Sequence, residues 1–82
     1  VNKMSKETVL NRILEMLNKI TDTDYLPYQD LMEEGGLASL ELMELIVGIE
    51  QEFHVKIPTR KLRLVATAED LAGLVCEREG IA

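Results

Sequence analysis

Apolar residues recur at helical spacing along this chain and at strand spacing nowhere, which restricts the fold to packed helices. Leu10, Ile13, Leu14, Leu17 and Ile20 follow the i, i+3, i+4, i+7 pattern of one buried face. Asn11, Arg12, Glu15, Asn18 and Lys19 lie opposite, with Glu15 and Lys19 spaced for a helical ion pair. Ser5, with Glu7 in the first turn behind it, is the expected N-cap. The run Thr21-Asp22-Thr23-Asp24 ends this first helix with residues that favour turns and caps.

A long connection then reaches Gly36, holding Tyr25, Leu26, Pro27, Tyr28, Leu31 and Met32. Its apolar residues predict that it packs across the bundle, with a short helical turn around residues 30–33. Loops of this length in a small domain are often functional. A second helix is predicted from Ser39 or Leu40 to about Phe53, its core stripe being Leu42, Leu45, Ile46, Ile49 and Phe53. Glu41, Glu44, Gly48, Gln51 and Glu52 share the opposite side, while Leu40, Met43 and Val47 form an apolar ridge beside the acids. That ridge is either an exposed strip or the edge of a wide core face.

His54 sits where an imidazolium would complement a helix C-terminus, and His54-Val55-Lys56-Ile57-Pro58 should leave extended. Residues 59–64 predict a short third helix. Thr67 and Asp70 predict a capping box that opens the last helix, with Leu71, Leu74, Val75 and Arg78 on one face and Gly80 as terminator. Gly73, inside it, is expected to allow close packing. The predicted fold is all-α: a four-helix bundle with a short third helix and a long loop between the first and second helices.

The 82 residues are expected to form one domain, 1–82, with residues 1–4 a disordered or added extension. A chain this size buries roughly 60–70% of its unfolded surface, so its core must be simple. With no Trp and three aromatics, Leu, Ile, Val and Met must fill it. The net charge of −6 argues against nucleic acid, whose binders need a basic footprint, and favours basic partners. One cysteine, Cys76, allows no internal disulfide, which together with the lack of a secretory signal or a membrane-length apolar run predicts a cytoplasmic protein.

No residues assemble into catalytic or metal chemistry by spacing. There is one histidine, Gly35-Gly36 lacks the lysine of a phosphate loop, and the carboxylates of the second helix have no second cluster. What does stand out is Gly35-Gly36-Leu37-Ala38-Ser39-Leu40-Glu41, which puts a hydroxyl at a helix start. Unpaired N–H groups and the positive end of the macrodipole gather there, so Ser39 is either a helix cap or the anchor of something anionic.

The run from Leu31 through Ser39 to Leu45, with Ile49, Glu52-Phe53 and Ile57-Pro58 at fixed distance after it, resembles the attachment segment of acyl carrier proteins. The resemblance implies a carrier and no enzyme. By position Ser39 matches the serine that receives 4′-phosphopantetheine covalently from coenzyme A, through a phosphopantetheinyl transferase. The thiol of that arm would carry acyl groups as thioesters for fatty-acid, polyketide or related biosynthesis. An aminoacyl, D-alanyl or peptidyl carrier has nearly the same motif. An unmodified interaction module docking through the acidic second helix is the reading from another class. Leu40, Glu41, Glu44 and Val47 resemble the family's partner-facing surface, which meets basic patches on loading and processing enzymes. The resemblance departs in two places: Ala38 stands where the family most often has aspartate, and Arg60, Lys61 and Arg63 replace an often acidic stretch. Arg60 and Lys61 are accordingly either a solvated basic edge or a surface that helps select partners. A monomer without membrane insertion is expected.

Overall fold

The computed structural model describes residues 5–79, which contain four helices and no strand. These are α1 (Lys6–Thr21), α2 (Ser39–Phe53), the single turn α3 (Thr59–Leu62) and α4 (Ala68–Glu79). The extension expected at residues 1–4, the terminator Gly80 and the side chain of Arg78 lie outside the described residues.

The ends of α1 form as the residue types demand. Ser5 is extended, and its Oγ accepts the Thr8 N–H at 3.2 Å. At the other end Asp22 adopts a left-handed conformation (φ 59°) and donates its N–H to the Asn18 carbonyl at 2.7 Å. The buried stripe is centred one position from the expected line: Val9, Ile13 and Leu17 are fully buried, with Leu10, Leu14 and Ile20 at its edges. Glu15 does not pair with Lys19. Arg12 takes it at 2.5 Å and also grips both oxygens of Glu52 at 2.5 and 2.6 Å, tying α1 to α2. Bonding to Arg12 holds the Glu52 carboxyl below the usual carboxylate range. So exposed a pair adds little to stability.

α1 packs against both α2 and α4. Facing it are Leu45, Ile46, Ile49 and Phe53 of α2 and the inward line Ala68, Leu71, Ala72, Val75 and Cys76 of α4, all in one core. Each large aliphatic side chain so buried contributes roughly 1.5–3 kcal/mol. The capping box of α4 forms: Thr67 Oγ1 accepts the Asp70 N–H, and Asp70 Oδ2 accepts from both Ala66 and Thr67. Gly73 is not a close-packing site, since a methyl group there would meet only Lys6 Nζ at 3.9 Å.

Between α2 and α3, His54 is exposed and takes a left-handed cap conformation (φ 55°). Glu50 then reaches along the extended exit to accept the Ile57 N–H at 2.8 Å, while Ile57 buries its side chain. The long connection, residues 22–38, is strapped to the body. Its Pro27 carbonyl accepts the Glu69 N–H at 3.0 Å, and its Leu31 N–H donates to the Ala66 carbonyl at 2.8 Å. Tyr25, Leu31 and Leu37 enter the core, but Leu26, Tyr28 and Met32 face outward. Residues 31–34 form hydrogen-bonded turns, not the short helix expected nearby; Asp30 Oδ1 accepts the Glu33 N–H at 2.7 Å and closes a side-chain turn instead.

Candidate functional site

The strapped loop delivers the chain to the start of α2, and the geometry there separates the two roles open to Ser39. The N-cap is Ala38, extended at φ −78° and ψ 156°, so Ser39 is already the first helical residue. Its hydroxyl caps nothing and makes no hydrogen bond among the described residues. The Ser39 side is exposed, as are Ala38 and Leu40 on either side of it. The first helical hydrogen bond runs from Leu42 N–H to the Ala38 carbonyl at 2.9 Å, which leaves the N–H groups of Ser39, Leu40 and Glu41 without a helical acceptor. A hydroxyl in open solvent, beside three unused donors and the positive end of a fifteen-residue helix, suits an anionic substituent. The capping alternative is set aside.

Glu41 folds back so that Oε1 accepts the Ala38 N–H at 2.9 Å. This is half of a capping box; an alanine cannot supply the other half. Replacing Ala38 by Asp should complete it by offering a carboxylate to the Glu41 N–H. Thermal unfolding of Ala38→Asp is expected to show a gain of about 1 kcal/mol; an unchanged or lower midpoint would mean that the cap is already satisfied another way.

Two glycines shape the approach to the serine. Gly36 has φ +70°, the left-handed region that side chains disfavour, with open space around it. Gly35 is confined instead: the ring of buried Tyr25 occupies the place of its missing methyl, and the Tyr25 hydroxyl donates to its carbonyl at 2.7 Å. Packing of Tyr25 is expected from the sequence, but its bond to Gly35 is not, because ten positions separate the two and no period links a loop aromatic to a loop glycine.

Leu40, Met43 and Val47 are exposed by 81%, 49% and 48%, so the ridge is an outer strip and not the edge of the core. Glu41 is half-exposed beside it, and Glu44 is exposed with no ion pair among the described residues. Arg60 is exposed as well, whereas Lys61 is half-buried and leans 3.7 Å from Glu77 of α4. No ion pair among the described residues joins these cations to α2. Among the described residues no group of three or more His, Cys, Asp or Glu side chains could hold a metal ion.

The family model described as "Phosphopantetheine attachment site" matches residues 7–75, which take in α2 with the serine and most of α1 and α4. The chain belongs to this family. Its members carry covalently attached 4′-phosphopantetheine and act as carriers, not as enzymes. Among its relatives is an acyl carrier protein of Myxococcus xanthus, 27% identical over 74 residues that make up 87% of this chain and 94% of that one. An acyl carrier protein of Acidothermus cellulolyticus is 27% identical over 70 residues, or 82% and 83% of the two chains. A chloroplastic acyl carrier protein of Brassica napus is 27% identical over 73 residues, 87% of this chain but only about half of its own length (54%). Carrier domains of this kind meet the enzymes that modify them and those that process their acyl cargo. No helix among the described residues is long and apolar enough to cross a membrane.

Proposed function

We propose that Ser39 is the attachment point of 4′-phosphopantetheine, and that residues 1–82 serve as one carrier domain for acyl intermediates of fatty-acid, polyketide or related biosynthesis. The observation that carries this reading is the exposed, unbonded hydroxyl at the first position of α2. In the transfer, Ser39 Oγ forms a bond to the phosphorus nearer the pantetheine of coenzyme A. The pyrophosphate link to the nucleotide breaks, adenosine bisphosphate leaves with the bonding electrons, and the hydroxyl proton passes to a base of the transferase. The N–H groups of Ser39, Leu40 and Glu41 face the resulting phosphodiester charge, a stabilisation of about 0.3–1 kcal/mol at an exposed helix end. Once attached, the arm supplies a thiol that holds acyl groups as thioesters.

Leu40 and Val47 offer the apolar contact for partner enzymes, and Glu41 and Glu44 the charge that draws basic docking patches. Arg60 and Lys61 mark a second edge of opposite sign, which sorts partners by whether they present an acid or a base against α3. Reversal of both to glutamate is expected to change which enzymes of a panel load the carrier, by several-fold at low salt and less as salt is raised. Identical loading across the panel would remove α3 from the docking surface.

The attachment itself is tested by incubating the protein with coenzyme A, magnesium and a broad-range phosphopantetheinyl transferase and recording its intact mass. A gain of one phosphopantetheine is expected. No gain with several transferases would leave an unmodified docking module as the better account.

A further inference from the structure

In the stretch that leads to Ser39, the backbone is pinned on both sides of a single pivot. The Gly35 N–H donates to the Asp30 carbonyl at 2.8 Å and the Leu37 N–H to the Leu31 carbonyl at 2.8 Å. Ala38 donates to Glu41 Oε1, and the Leu37 side chain is buried. Gly36 has no such tie and sits at positive φ in open space. Ser39 is thus reached through a short segment in which Gly36 is the untied residue, and its placement depends on what fixes Gly35.

Tyr25 fixes it from outside the turn. Tyr25 is only 6% exposed, and its ring fills the space beside the Gly35 α-carbon, where a methyl group would also come within 2.8 Å of the Leu31 carbonyl oxygen. The residues around Tyr25 are themselves tied to helices: Asn18 of α1 donates to Asp24 at 2.8 Å, and Glu69 of α4 donates to the Pro27 carbonyl. The bond from the Tyr25 hydroxyl to the Gly35 carbonyl therefore links the helical body to the segment before the serine. The core does not require it. A phenylalanine would fill the same volume, and a buried hydroxyl must find a partner only because it is there.

We propose that Tyr25 is a positioning residue for Ser39, its hydroxyl holding Gly35 in the one arrangement that presents the serine oxygen to the transferase. The inference rests on Ser39 being the modified residue. Loss of the bond enlarges the set of loop conformations and lowers the fraction competent to be bound, and this raises the apparent KM for the carrier without altering the chemical step.

The test compares wild type, Tyr25→Phe and Ile13→Val in steady-state transfer from coenzyme A by one transferase, well below the unfolding temperature of each protein. Ile13→Val loosens the core from α1, outside the loop and its hydrogen bonds, and controls for lost stability. Tyr25→Phe is expected to raise the KM for the carrier by up to about five-fold, the full weight of one part-buried hydrogen bond, with kcat within about two-fold of wild type. Ile13→Val should leave both constants at wild-type values. Amide exchange at Leu37 should quicken by a similar factor in Tyr25→Phe, while exchange in α1 stays unchanged. An unaltered KM in Tyr25→Phe, or an equal rise in Ile13→Val, overturns the positioning role. A wild type that accepts no phosphopantetheine at all overturns the assignment of Ser39 instead, so the two failures are told apart.

Discussion

Gly35→Ala is expected to lose about 2–4 kcal/mol of stability, an overpacking cost in the usual range plus a broken hydrogen bond. The new methyl group has two ways to escape, and both are costly. The Tyr25 ring can leave its pocket, which exposes an aromatic surface now buried and breaks the bond from its hydroxyl to the Gly35 carbonyl. Alternatively the backbone at residue 35 can retreat from the Leu31 carbonyl, which pulls the Gly35 N–H away from Asp30. Urea unfolding measures the sum. The neighbouring glycine is a useful contrast, because an added methyl group at Gly36 meets nothing within 4 Å and pays only the left-handed backbone penalty, about 1 kcal/mol. An unfolding midpoint for Gly35→Ala equal to wild type would show that the ring and the loop are not interlocked.

The other large effect is functional. Ser39→Ala should abolish modification completely while leaving stability within about 0.5 kcal/mol of wild type, or slightly above it, since alanine is the better helix former. The Ser39 hydroxyl makes no hydrogen bond among the described residues, and the cap position belongs to Ala38. A serine acting as N-cap would behave differently, losing about 1 kcal/mol on the same replacement. One variant thus separates cap from anchor by stability and carrier from bystander by mass. A loss of about 1 kcal/mol in Ser39→Ala would mean that the hydroxyl holds the helix start after all.

The helices were legible in the sequence wherever a local rule decides the outcome. The Ser5 cap, the Thr67 and Asp70 box and the Leu45, Ile46, Ile49 and Phe53 stripe of α2 each depend on residues within a turn or two of one another. The centres of the α1 and α4 stripes, which bring Val9, Ala68 and Ala72 inward, depend instead on the neighbouring helices. Long-range choices were not legible. Arg12 could pair with neighbours in α1 alone, yet Glu52, forty positions away, receives its guanidinium. Glu50 reads as a surface acid of α2 but folds onto the Ile57 N–H. In the loop, apolar composition predicted burial for Leu26 and Tyr28, and the strap from Pro27 to Glu69 turns both outward.

The site shows the same division. The serine was singled out by what lies around it, because the glycines, the helix start and the downstream Phe53 and Ile57-Pro58 resemble the family's spacing. That spacing does not say which residue caps the helix. Serine is the better cap by type, but the loop reaches α2 through buried Leu37, and that entry puts Ala38 in the extended position and Ser39 in the first turn. An acid before the serine would have closed the box locally; with alanine there, Glu41 alone holds the helix start.

The chain has two serines, and they differ in the feature on which the carrier reading depends. Ser5 caps α1 and shares its hydroxyl with Thr8, whereas the oxygen of Ser39 is unengaged. Fragmentation mass spectrometry of the transferase-treated protein, read residue by residue, decides between them. The phosphopantetheine group should be found on Ser39 alone. Finding it on Ser5 or on a threonine, with Ser39 unmodified, would contradict the account at its centre.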